Sequence, residues 1–152
     1  MADKKSNIAS RIEEEHASLR QLMKVIGESV GRDPEGDFGE WKLELIWTLR
    51  DFQNELVKHF DLEEDGGFMD DVIRKAPQES KKAEVLEMEH REFLDELDSI
   101  TDVLKQMNEQ NTSALPTVRE RVLALINKLH DHEASERDLI YTVYFQDIGV
   151  GD

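Results

Sequence analysis

Helical apolar periodicity runs the length of this chain with only three interruptions, and this most constrains what it can fold into. The interruptions are Gly31-Arg32-Asp33-Pro34-Glu35-Gly36-Asp37, the stretch from Gly66-Gly67 to Ala76-Pro77, and Asn108 to Ser113 with Pro116 just beyond. Between them lie four segments with apolar residues three or four apart. They read Ile12, Leu19, Met23, Ile26, Val30; then Leu45, Leu49, Phe52, Leu56; then Ala83, Leu86, Phe93, Leu97, Ile100, Leu104, Met107; then Val118, Val122, Leu125, Leu129, Leu139, Val143. No segment alternates as a strand would. Four amphipathic helices joined by short links make an all-α, up-down-up-down antiparallel four-helix bundle. Helices are expected over about 6–31, 38–74, 78–108 and 114–146, within a single domain over 1–152.

Helix ends have local signals. Asp37 followed by Glu40 fits a capping box, and Gly31 suits a helix end. Ser113 is expected to cap the fourth helix, with Pro116 in its first turn. Gly66-Gly67 should weaken or kink the second helix, with Phe68 to Arg74 adding a turn or two.

Every stripe has polar positions, and a metal-ligand type fills each of them. His16 lies between Ile12 and Leu19. His59 and Glu63 continue the stripe past Leu56. His90 lies between Leu86 and Phe93, and His132 and Glu136 lie between Leu129 and Leu139. Unpartnered, such groups at core positions would cost several kcal/mol each, on the order of the penalty for burying a bare polar group. Their depths agree. His16 and His90 come early in odd helices and the His-x-x-x-Glu pairs late in even ones, which an antiparallel bundle brings to one layer. Residues i and i+4 share a helix face, so each pair can reach one cluster. The two halves repeat: His59 follows His16 by 43 residues, His132 follows His90 by one fewer, and each lone histidine is preceded by a glutamate, Glu15 or Glu89.

A lone core histidine is more often a hydrogen-bonded core residue than a ligand. Six ligand-type residues in one layer favour metal. Four imidazoles and two carboxylates exceed the needs of one tetrahedral zinc. They suit two metals, each with two terminal imidazoles, and Glu63 and Glu136 bridging. Iron leads, with manganese or zinc behind it. His130 lies about 200° round the helix from His132 and should face outward. Leu19, Leu56, Phe93 and Leu129 can form the dry wall of a small-ligand pocket. The acidic runs Glu13-Glu14-Glu15 and Glu63-Glu64-Asp65 read as solvated faces, Glu63 apart.

Composition excludes several classes. The net charge of −16 disfavours nucleic acid and anionic membranes. With no cysteine there is no disulfide, thiolate metal site or thiol catalysis. The first ten residues hold no apolar leader and no run approaches a membrane span, so the expectation is a soluble, cytoplasmic protein.

His16, His59-x-x-x-Glu63, His90 and His132-x-x-x-Glu136 together resemble the hemerythrin-like, HHE cation-binding domain. So do the strings His59-Phe60-Asp61-Leu62-Glu63-Glu64 and His132-Glu133-Ala134-Ser135-Glu136. The resemblance covers nearly the whole chain. It implies two non-haem iron ions (Fe2+/Fe3+) bridged by an oxo, hydroxo or water oxygen, and a small ligand such as dioxygen, nitric oxide or peroxide. Two departures separate the chain from the oxygen-carrying hemerythrins. Leu86 stands where they have a further histidine, and Arg137 where they have a bridging aspartate. The four-histidine, two-glutamate set is similar to members linked to iron, oxygen, nitric oxide or peroxide responses. A position left open by Leu86 can take water, an exogenous ligand or a carboxylate such as Glu87 or Glu13, although both glutamates read as surface residues. The reading leans to a binding or sensing module. A diiron oxidase or peroxidase is the rival, and an inert zinc or manganese bundle the third option.

Overall fold

The computed structural model describes residues 4–34 and 36–145. The chain forms α1 (Lys4–Gly31), α2 (Phe38–Asp65), α3 (Phe68–Lys75), a 3₁₀ turn (Pro77–Glu79), α4 (Ser80–Gln106), α5 (Leu115–Ile140) and a wide π-type turn (Tyr141–Phe145). Among the described residues the only extended pairing is an isolated bridge between Asn108 and Asn111. The four long helices form the expected bundle. α1 packs on α2 and α5, and α4 packs on the same two, so α1 faces α4 and α2 faces α5 across diagonals. The expected ends at 1–3 and 146–152 lie outside the described residues.

The helix starts and stops have identifiable causes. The Asp37 carboxylate accepts the Glu40 amide at 2.9 Å, supplying the N-cap of α2. Two helix ends, those of α1 and α4, are closed by groups from neighbours. Trp41 Nε1 donates to Ser29 O at 3.0 Å, Arg119 Nε to Val30 O at 2.8 Å, and Lys42 Nζ to Met107 O at 2.9 Å. A cation on terminal carbonyls also complements the helix dipole. The expected cap at Ser113 does not form. Its hydroxyl bonds Asn111 Oδ1 at 3.1 Å within the turn, and Ala114 takes the N-cap position instead.

The second expected helix divides at the glycine pair. Gly67 has φ +106°, a conformation that L side chains disfavour, and it breaks α2 from α3. The break lets α3 turn across the end of the bundle and bury Phe68, Met69 and Val72 there. Buried Asp71 fastens this cap. It accepts Tyr144 Oη–H at 2.6 Å and also pairs with Arg74. Burial and the neighbouring Asp71 push the Tyr144 phenol up.

The core is in two parts. One cluster runs from Leu19, Leu56, Phe93 and Leu129 to the end of the bundle that holds Val30, Phe38, Leu104 and Val118. The other gathers Ile12, Leu62, Phe68, Val72, Leu86 and Leu139 at the α3 end. Each fully buried aliphatic side chain contributes about 1.5–3 kcal/mol. On every long helix the change from one cluster to the other falls at the polar positions.

Candidate metal centre

That polar layer contains all six residues singled out in the sequence. His16, His59, Glu63, His90, His132 and Glu136 are each buried to 4% exposure or less. They form two groups that could hold a metal: His16, His59, Glu63 and Glu136, and Glu63, His90, His132 and Glu136. In each group the candidate ligand atoms all lie within 4.8 Å of one another. Both carboxylates belong to both groups, and each divides its oxygens between them. Glu63 Oε2 lies 3.2 Å from His59 Nε2, and its Oε1 lies 3.2 Å from His90 Nε2. Glu136 Oε1 lies 2.9 Å from His16 Nε2, and its Oε2 lies 3.1 Å from His132 Nε2. The helices dictate this. Each Glu sits one turn beyond its own histidine and opposite the other pair.

Three of the four outward ring nitrogens are held by glutamates, two of which, Glu15 and Glu64, lie in the acidic runs expected to be solvated. Glu15 Oε1 lies 2.8 Å from His59 Nδ1, Glu64 Oε2 lies 2.6 Å from His90 Nδ1, and Glu89 Oε1 lies 2.6 Å from His132 Nδ1. A carboxylate only accepts, so these three Nδ1 atoms carry the proton, which turns Nε2 inward as a donor for a metal. The signal was present in the repeat. Glu15 and Glu89 precede the lone histidines, and each serves the histidine of the next helix. Glu87 is exposed and Glu13 half-buried, and neither joins the two groups. His130 is exposed, as its helical angle requires.

The donor set fits a metal pair. Both oxygens of Glu63, Oε2 of Glu136 and Nε2 of His90 and His132 are buried without a hydrogen-bond partner, all within this layer. So many orphan acceptors at one point are costly unless a cation meets them. The electrostatics agree. Burial disfavours charge on His59, but Glu136 and Glu63 outweigh it and push the imidazole up to about 11. His90 is pushed up to about 10 against its burial by Glu136, Glu63 and Glu64. His132 is raised against burial by Glu136 and Glu89. Burial, and then the charge of Glu136, raises Glu63. Against its own burial, the closeness of the Glu63 carboxyl and of the His132, His16 and His59 imidazoles holds Glu136 well below the carboxylate range. The layer attracts positive charge.

The family model of the hemerythrin HHE cation binding domain matches residues 7–144. The chain belongs to this family. No curated protein and no solved structure matches it significantly. No described helix is long and apolar enough to cross a membrane.

Beside the layer this hemerythrin HHE domain has a small cavity of about 20 Å³, lined by His16, His59, His132, Glu133 and Glu136 and by Leu19, Met23, Phe52, Leu56, Phe60 and Leu129. The volume admits about one water-sized molecule. Three of the four expected wall residues line it. Phe93 instead sets its ring edge-on to His132, with centroids 5.1 Å apart. Glu133 is the residue that periodicity missed. It is buried, and its carboxylate pairs with Arg20 and, at 3.0 Å, with Arg137.

Proposed function

We propose that residues 1–152 form one hemerythrin-like domain that holds two metal ions, iron foremost, and binds a small ligand beside them. His16 and His59 would hold one ion and His90 and His132 the other, with Glu63 and Glu136 spanning both. The observation that carries this reading is the division of each carboxylate's two oxygens between the two imidazole pairs. A lone structural zinc has no use for two such carboxylates.

Iron would supply a redox-active centre able to take dioxygen, nitric oxide or peroxide. The chain's own groups prepare the place. Glu15, Glu64 and Glu89 fix three imidazoles with Nε2 inward. Leu19, Met23, Phe52, Leu56 and Leu129 keep the adjoining cavity apolar, which suits a small uncharged ligand. The only carboxylates lining that cavity are Glu133 and Glu136, so the site favours binding or sensing over turnover of an organic substrate. The acidic surface fits a cytoplasmic role in oxygen, nitric oxide, peroxide or iron response, with no nucleic acid or membrane partner.

Elemental analysis with a visible spectrum in air tests the proposal. About two irons per chain with near-ultraviolet charge-transfer bands is the expected result. Manganese or zinc in that stoichiometry would keep the paired site and replace the metal. Failure to take up any of the three under anaerobic reducing conditions would overturn it.

A further inference from the structure

We propose that the two metal positions are unequal: the His90/His132 position binds first and tightly, and the His16/His59 position, which adjoins the cavity, is the weaker and exchangeable one. This rests on the paired-metal reading above and concerns residues outside the six candidate ligands.

The internal repeat makes the argument. Aligning His16 with His90, and His59 with His132, places Arg20 against Leu94, Glu133 against Phe60 and Arg137 against Glu64. On the α2–α4 face these positions support the imidazole. Glu64 accepts His90 Nδ1–H at 2.6 Å, and the Phe60 ring stacks on His90 with centroids 3.8 Å apart and planes 9° apart. On the α1–α5 face all three have changed. Arg137 stands where a carboxylate would accept from His16. Glu133 carries the only nearby replacement, and its Oε1 stops 4.0 Å short of His16 Nδ1. Arg20 and Arg137 engage that oxygen instead. His16 Nδ1 is thus buried with no hydrogen-bond partner, alone among the four Nδ1 atoms of the layer.

A carboxylate on the far nitrogen orients the ring and raises its basicity as a ligand, and its loss typically costs about 10–100-fold in metal affinity. Arg20 and Arg137 both pair with Glu133 Oε1, so the charge of that carboxylate is neutralised by them rather than spent on His16. Both effects act on the same position, and the cavity is lined by both of its imidazoles, His16 and His59, but by only one of the other pair, His132. The three changed residues therefore form a set: they weaken one position where a small ligand has room.

Anaerobic titration of the metal-free full chain with cobalt(II), followed by calorimetry and visible absorbance, tests this. Two resolved steps separated by about 10-fold or more are expected. His16→Ala should abolish only the weaker step and His90→Ala only the stronger. Arg137→Glu restores the repeat at a half-exposed position and should tighten the weaker step by about 10-fold. Glu64→Gln should weaken the stronger step instead, and it stays informative if Arg137→Glu does not fold. Two equal steps, a weaker step that disappears in His90→Ala, or a gap unmoved by both Arg137→Glu and Glu64→Gln would overturn the inference while leaving the paired site intact. No uptake of cobalt or iron by the wild-type chain would overturn the paired site itself.

Discussion

At the scale of single residues, the layer depends on groups that would not be ligands as much as on those that would. Glu89 is a third exposed at its side chain, yet its carboxylate sets the tautomer of buried His132. Glu89→Gln keeps the shape but turns a charged acceptor into a neutral one. It should lower metal affinity about 10–100-fold with little change in helix content, read by competition with a chelator. His130→Ala should leave metal content unchanged and stability within about 0.5 kcal/mol, because its side chain is exposed and off the stripe. Loss of metal in that variant would contradict the helical register assigned to α5. All six candidate ligands were legible in the sequence because a polar residue in an apolar stripe is conspicuous. Glu15, Glu64 and Glu133 were not. The first two sit at the edge of the buried face within acidic runs, where periodicity cannot separate a solvated glutamate from one turned in to a histidine. Glu133 lies next to His132, one step off the stripe, and only the packing of α1 against α5 shows that it is buried.

At the scale of elements, the long helices follow from periodicity and their ends from local chemistry, with one exception. Ser113 has the right residue type for an N-cap, but the turn formed by Asn108 and Asn111 engages its hydroxyl. A cap signal competes with the turn beside it, and spacing alone does not decide between them. The glycine pair was legible as a break. Its consequence was not, because the direction of α3 depends on the left-handed backbone at Gly67 and on Phe68 finding the open end of the core. Gly67→Ala should therefore cost about 1–2 kcal/mol, the usual strain of an L residue at positive φ. Gly66→Ala adds a clash, since a Cβ there would run into the backbone carbonyl of Leu62. Denaturant melts measure both. An unchanged midpoint for Gly67→Ala would mean that α3 does not hold the bundle end closed. Asp37→Ala, at the other end of α2, should cost about 1 kcal/mol through loss of the bond to the Glu40 amide.

At the scale of the whole molecule, a layer rich in carboxylates and imidazoles divides the core, so stability and metal binding are linked through protons. In the metal-free chain His59 and His90 have affinities pushed up to about 11 and about 10 from an ordinary 6.5. A raised histidine stabilises the fold fully below its unfolded value, and that contribution disappears as pH rises through its folded value. The metal-free protein should thus lose stability between about pH 6.5 and about pH 11. Metal binding runs the other way. It requires neutral imidazoles, so protons compete with the ion, and raising the pH removes that competition. The rise in melting temperature produced by iron(II) or manganese(II) should therefore increase steadily from about pH 6 to about pH 9. Protons should be released on binding, measurable by calorimetry in buffers of different ionisation enthalpy. The net charge of −16 acts in the same direction, since self-repulsion opposes the compact state and a divalent cation relieves it. Added salt separates the two contributions. It screens the surface charge within about 10 Å at 0.1 M but leaves the buried layer almost untouched. If the metal-induced gain keeps its pH dependence in high salt, the buried imidazoles are its source. If the dependence vanishes with salt, it belongs to the surface, and the protonated layer is not what metal displaces.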